Sequence, residues 1–391
     1  MTIPTLIKIF IISFAITFCL TPVSIFAARK IGAVAKPRDA RGRDGLFIPR
    51  FGGMAIVVSS TIVIAVNLGS FPGIRATLIA GICIFLIGTI DDIIDLPALV
   101  KFFLELLVAS TMYFMGIRVR FITNFFGDEQ LFLLGDVACF IVTVLWIVGI
   151  TNAVNLTDGL DGLCAGDSAI SMIAIAYVAY IHGEQYGSST VCLALTCLSG
   201  CCVGFLPFNV HPAKTFMGDN GSLYLGFMMS VFSIISPLKR ATLVSTCVPL
   251  FAIALPIIDT LSSIVRRRKN GKPVMQADHG HLHHRIFARE GGQERSVVIL
   301  YCITGGLSIS AILMSRELYK ESIALFGIVA ALIYIFMTEP MPAGNDSSSS
   351  SEIMEEDKPL SRRGSWKDSR SAARQSAENT ENNSGEKRSQ E

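Results

Sequence analysis

Long apolar runs separated by short polar breaks fill residues 1–337. Eleven of them approach the roughly 20 residues that an α-helix needs to cross a bilayer. They are 5–27, 51–69, 74–91, 98–115, 136–152, 165–181, 189–207, 221–235, 241–264, 296–313 and 322–337. Backbone polar groups in lipid must pair within the chain, so runs of this length predict helices. A transmembrane β-barrel would show short alternating segments instead. The expected fold class is all-α: a polytopic membrane helix bundle of about eleven helices. The first run has only Lys8 ahead of its apolar centre and is long, so it reads as a span and not a cleaved signal peptide.

Composition supports this. The chain is 51% hydrophobic and 16% charged with a mean hydropathy of +0.54, where soluble proteins carry about 25% charged residues. A net charge of +2 gives no overall bias toward nucleic acid. The ten cysteines fall mostly inside predicted spans, with no Cys-x-x-Cys pair in a loop, and read as small packing residues. From about Thr338 a serine run, Ser347 to Ser351, leads into a mixed-charge tail. Two regions are expected: a membrane domain over 1–337 and a disordered cytoplasmic tail over 338–391.

Loop charge sets the orientation. Arg29, Lys30, Lys36, Arg38, Arg41, Arg43 and Arg50 follow the first span, and Arg266, Arg267, Arg268, Lys269, Lys272, Arg285 and Arg289 follow the ninth. With eleven spans these loops share one side, which is then cytoplasmic. The N-terminus is expected outside and the C-terminus in the cytoplasm.

Candidate chemistry gathers at helix ends on that same side. Asp91, Asp92 and Asp95 close the third span. Three acids this close repel one another unless a cation or proton intervenes, and acids at a helix C-terminus oppose its dipole. A solvated helix end is the plain alternative. After the fifth span, Asn155, Asp158 and Asp161 recur at intervals of three among glycines. Their oxygens suit Mg²⁺ or a uracil–ribose group. The later spacing excludes an EF-hand, and an Asx-rich turn is the alternative. Lys214 and Asp219 enter the eighth span. Asp219 reads either as an anion-site or metal residue or as a simple N-cap, and Lys214 as a phosphate contact. Finally, four of the six histidines fall between His279 and His284, followed by Arg285. Zinc is the rival there, but His and Arg donors also suit phosphate or uridine. Acids for a metal and bases for phosphate, on one face, point to phosphoryl transfer. No Walker loop or GxGxxG motif is present.

The segments GTIDDIIDL, NAVNLTDGLDGL, PAKTFMGDNGS and HLHHR, in that order, resemble the polyprenyl-phosphate N-acetylhexosamine-1-phosphate transferases over residues 1–337. The HLHH form is similar to the N-acetylglucosamine-phosphate branch. The resemblance implies a ten- or eleven-helix bundle in the bacterial cytoplasmic membrane, an active site on its cytoplasmic face, Mg²⁺ or Mn²⁺, a UDP-sugar donor and a polyprenyl phosphate acceptor. A homodimer is compatible with it. The activity implied is transfer of N-acetylglucosamine-1-phosphate to undecaprenyl phosphate with release of UMP, early in cell-wall or lipopolysaccharide synthesis. Asp219, with Asn155, would bind the metal. Asp91 and Asp92 would act at the acceptor phosphate or metal. Lys36, Asn155, Asp158, Asp161, Lys214, His281, His283, His284 and Arg285 would contact substrate. One departure stands in the first cytoplasmic loop: Ala35 precedes Lys36-Pro37, and Arg43-Asp44 stand where family members often carry a His. The rival readings are a phospho-N-acetylmuramoyl-pentapeptide transferase and a transporter. A transporter would place its ionisable groups near the bilayer midplane, whereas here they sit at helix ends.

Overall fold

Most of the expected apolar runs become helices. The computed structural model describes residues 2–34, 48–69, 73–123, 131–182, 188–235, 250–251, 253–269, 281–290 and 292–338, except the side chains of 121–123, 131–132, 188 and 269. All of these belong to one compact unit, Met1–Met341. Lys36, the tail from residue 339 and much of the ninth expected segment lie outside the described residues.

In chain order the helices are α1 (Ile3–Ile31), α2 (Gly53–Leu68), α3 (Ile74–Ile94), α4 (Ala98–Phe114), α5 (Asp136–Thr157), α6 (Leu163–Ile181), α7 (Ser188–Asn209), α8 (Gly218–Ile235), α9 (Ala254–Lys269), α10 (Leu282–Glu290), α11 (Gln293–Ser315) and α12 (Tyr319–Thr338). Each of the eleven expected segments overlaps a helix. Among the described residues seven helices are long and apolar enough to cross a membrane: α1, α3, α5, α6, α7, α11 and α12. Helix α2 is apolar but shorter. Two elements were not expected from the sequence. One is the short helix α10. The other is an antiparallel ribbon between α4 and α5, β1 (Phe121–Thr123) on β2 (Leu131–Leu133), with Ile122 opposite Phe132.

Helix α8 forms the core. Every residue from Asn220 to Ser233 is buried, and the helix packs on α3 and α5. Association between helices in lipid depends on close packing, and glycines allow backbones to approach. A Cβ on Gly88 of α3 would lie 2.6 Å from the backbone of Asn220, and one on Gly226 of α8 would lie 2.8 Å from Thr151 of α5. Helix α1 meets α7 through a stripe of small polar residues, Ser13, Thr17, Thr21 and Ser24, all buried. The α3–α8–α5 contacts bring the C-terminal ends of α3 and α5 to the N-terminal end of α8. There the polar clusters meet.

Candidate active site

The α3–α8 junction is built around Asp92. Its Oδ1 accepts the Asp219 amide at 3.1 Å, and its Oδ2 accepts the Asn220 amide at 3.1 Å and Asn220 Nδ2 at 2.6 Å. The first amides of a helix lack intrahelical partners, and the N-terminus carries partial positive charge. A carboxylate from another helix satisfies both. Gly218 makes the approach feasible: its φ is +76°, and a Cβ there would lie 2.7 Å from Asp92 Oδ2. Asn220 Nδ2 also donates to the Arg50 carbonyl at 3.0 Å, which ties the entry to α2 into the same junction.

Because Asp92 caps α8, the Asp219 carboxylate is left for other contacts. It lies close to Asn155 and Asp91, and it accepts a close bond from Lys101 Nζ. Lys101 Nζ also donates to Asp91 Oδ2 at 3.0 Å. Asp91 Oδ1 in turn accepts the Leu96 amide at 2.8 Å, which fixes the turn into α4. Asn155 Nδ2 donates to Ser222 Oγ at 2.8 Å. Burial pushes the Asp219 carboxyl up, but the Lys101 charge and the hydrogen-bonding groups around it together outweigh this and hold it below the usual carboxylate range. One helical turn along α4 from Lys101, Glu105 is 1% exposed and accepts a close bond from Asn152 Nδ2. Lys101 and Glu105 were not among the residues expected from the sequence.

The loop after α5 closes the next side. Asp161 Oδ2 meets His211 Nδ1 at 2.9 Å and accepts the Ala213 amide at 3.3 Å, so it braces the segment that leads to Lys214. Asn209 reinforces that brace: its Oδ1 accepts the Gly162 amide at 3.1 Å and its Nδ2 donates to the Thr215 carbonyl at 3.0 Å. Lys214 itself is exposed, with Nζ 6.0 Å from the centre of the Phe208 ring. Asp158 lies between Asn155 and Asp161, and its amide donates to the Asn155 carbonyl at 3.1 Å.

The histidine segment is organised by a residue the motifs did not include. Asp259 of α9 accepts the Leu282 amide at 2.7 Å through Oδ1, which caps α10. Its Oδ2 lies 3.1 Å from His281 Nδ1 and 3.8 Å from His283 Nδ1. His281 and His283 are both buried and their rings stack at 5.6 Å, while the His284 ring lies 4.3 Å from that of His283. His283 Nε2 packs directly onto Gly159, so the second and fourth sequence clusters touch. Arg285 donates to the Met337 carbonyl, which anchors α10 to the end of α12.

Asp91, Asp92, Asn155 and Asp219 are therefore drawn together, and Lys101 bonds Asp91 and Asp219 among them. Asp158, Asp161, Lys214 and the histidines flank them through the α5–α6 loop. Lys36 lies outside the described residues. Among the described residues no three His, Cys, Asp or Glu side chains are grouped closely enough to hold a metal by themselves.

A family model described as Glycosyl transferase family 4 matches residues 74–237, the stretch that contains the acidic, Asn–Asp and Asp219 clusters. The chain is 38% identical to a probable undecaprenyl-phosphate N-acetylglucosaminyl 1-phosphate transferase of Bacillus subtilis, over 84% of this chain and 89% of that one. It is 33% identical to a decaprenyl-phosphate N-acetylglucosaminephosphotransferase of Mycolicibacterium smegmatis, over 76% and 79%. It is also 32% identical to a phospho-N-acetylmuramoyl-pentapeptide-transferase of a Wolbachia, over 78% and 96%. Helices fit for a membrane, motifs gathered at their ends and similarity along most of the chain agree: this is a membrane enzyme of glycosyl transferase family 4, the polyprenyl-phosphate N-acetylhexosamine-1-phosphate transferases.

Proposed function

We propose that the enzyme transfers N-acetylglucosamine-1-phosphate, or a related N-acetylhexosamine-1-phosphate, from its UDP-sugar to undecaprenyl phosphate and releases UMP. This would be the first membrane step of a cell-envelope polysaccharide. The carrying observation is the convergence of Asp91, Asp92, Asn155 and Asp219 beside Lys101 at helix ends. Loop charge supports a cytoplasmic setting for that face in a bacterial inner membrane, with the N-terminus outside and the tail inside.

Mg²⁺ fits the donor set, and Mn²⁺ would fit similarly. Mg²⁺ takes oxygen ligands and commonly uses one or two carboxylates with substrate phosphates and water. Asp219 and the Asn155 amide oxygen would hold it, and a three-residue protein cage is not required. Bound there, the ion would neutralise diphosphate charge.

The protein's own groups then divide the work. Asp92, committed to the start of α8, positions Asp219. Asp91 faces the same point from the neighbouring turn and would orient the lipid phosphate. Lys101, Lys214 and the histidines offer donors to phosphate and nucleotide. A phosphate oxygen of the lipid attacks the sugar-bearing phosphorus, the bond from that phosphorus to the UMP oxygen breaks, and UMP leaves. A phosphate monoester with a second pKa near about 6 is mostly dianionic at neutral pH, so no strong base is needed.

The test is a membrane assay with undecaprenyl phosphate, Mg²⁺ and a panel of UDP-sugars that includes UDP-N-acetylmuramoyl-pentapeptide. UMP and a lipid product are expected with UDP-N-acetylglucosamine. Activity with the pentapeptide donor alone would move the enzyme to the muramoyl branch, and inactivity with every N-acetylhexosamine donor would defeat the reading.

A further inference from the structure

Lys101 occupies the position that the metal reading requires. Its ammonium group bonds both Asp91 and Asp219, the proposed metal carboxylate. The side chain is only 14% exposed, so its charge needs a partner wherever it goes. A divalent cation on Asp219 and an ammonium on the same oxygen repel each other at contact distance. One of them has to move.

The structure holds a second partner for the ammonium. Glu105 lies four residues after Lys101, on the same face of α4. It is 1% exposed, Asn152 bonds its Oε2, and its Oε1 is buried with no hydrogen-bond partner. A buried carboxylate oxygen without a donor is costly and uncommon. Asn152 and Asn155 are one turn apart on α5; Asn152 bonds Glu105, and Asn155 bonds Ser222 beside Asp219, so one face of that helix lines both acids. The flexible stem of Lys101 can pass between the two acids, and its three donors suit either.

We infer that Lys101 is a displaceable internal cation. It clamps Asp91 and Asp219 before a divalent ion binds, and moves to the Glu105 Oε1 when the ion takes Asp219. The clamp keeps two facing carboxylates from repelling. The second seat keeps the displaced ammonium paired and beside the site, where a donor phosphate arrives. This inference rests on the assignment of Asp219 to the metal.

The test measures Mn²⁺ affinity by electron paramagnetic resonance on the full chain in detergent, without substrate. Lys101→Met removes the competitor and is expected to tighten Mn²⁺ binding about tenfold, and Lys101→Gln likewise. Glu105→Gln removes the second charge and is expected to weaken binding about threefold or more. In the Lys101→Met background Glu105→Gln is expected to have no effect, because Glu105 acts through Lys101. Gel filtration and thermal unfolding restrict the comparison to folded variants. If Mn²⁺ binds no more tightly to either Lys101 variant, or if the Glu105→Gln effect persists without Lys101, the inference is overturned. Asp219→Asn separates the two levels: if it retains wild-type Mn²⁺ affinity, the metal assignment itself fails.

Discussion

Asp92 holds Asn220 twice, accepting its backbone amide at 3.1 Å and its side-chain amide at 2.6 Å through one oxygen. The two residues are 128 positions apart, so this contact sets the start of α8 against the end of α3. Asp92→Ala leaves these donors and the Asp219 amide without their acceptor. Stability is expected to fall by about 1–3 kcal/mol, and turnover to be lost. Asp92→Asn keeps one acceptor oxygen and is expected to lose less stability. Thermal unfolding in detergent, with turnover measured in parallel, reads both effects. An Asp92→Ala protein of wild-type stability would contradict the capping role.

Gly88 sets the same junction by absence of a side chain. An alanine Cβ there would press on the backbone of Asp219 and Asn220 at 2.6 Å, and backbone cannot swing aside. At Gly81, two turns earlier, a Cβ meets the Tyr224 side chain at 2.9 Å, which has more freedom to yield. Gly88→Ala is expected to cost about 1–3 kcal/mol and most of the activity, and Gly81→Ala less of both. Equal effects in unfolding and turnover assays would speak against the close α3–α8 approach.

Gly159 meets the tip of His283, so Gly159→Ala is expected to displace that ring while the helices stay in place. A small displacement of a site group can lower turnover by about a hundredfold. In a His283→Ala background the same substitution is expected to have little additional effect. A double-mutant cycle in kcat/KM checks this, and full additivity would separate the two residues.

Asp259 makes a prediction about His281 tautomers. As a carboxylate it accepts from Nδ1–H and leaves Nε2 as the other ring nitrogen. Asp259→Asn keeps an oxygen for the Leu282 amide, but its NH₂ cannot accept from Nδ1–H. Turnover is expected to fall by about tenfold or more, with stability close to wild type. Asp259→Ala is expected to lose about a further 1 kcal/mol of stability from the α10 cap. Ring nitrogen shifts by NMR in labelled protein give a direct readout of the tautomer.

Periodicity and length made the helices legible: each expected segment meets one, and the acidic, Asn–Asp and Asp219 clusters sit at helix ends as expected, whereas the histidines open a helix, α10, that was not expected. Pairwise roles were hidden. Lys101 and Glu105 fell inside the apolar segment 98–115 and were read only as part of a span. Asp259 was likewise absorbed into 241–264. The signal was available, because ionisable residues within apolar segments are functional by default. That Asp92 caps α8 while Asp219 does not cap its own helix depends on a contact across 127 positions, and a single sequence carries no information about such pairings. The β1–β2 ribbon and α10 are too short to register against long apolar runs.

The most direct test of the account follows the phosphorus. UDP-N-acetylglucosamine labelled in its β-phosphate is incubated with the enzyme, Mg²⁺ and undecaprenyl phosphate, and the lipid and nucleotide products are separated. The account predicts that the label enters the lipid with the sugar and that unlabelled UMP is the released nucleotide. Release of labelled UDP, with sugar alone on the lipid, would contradict it.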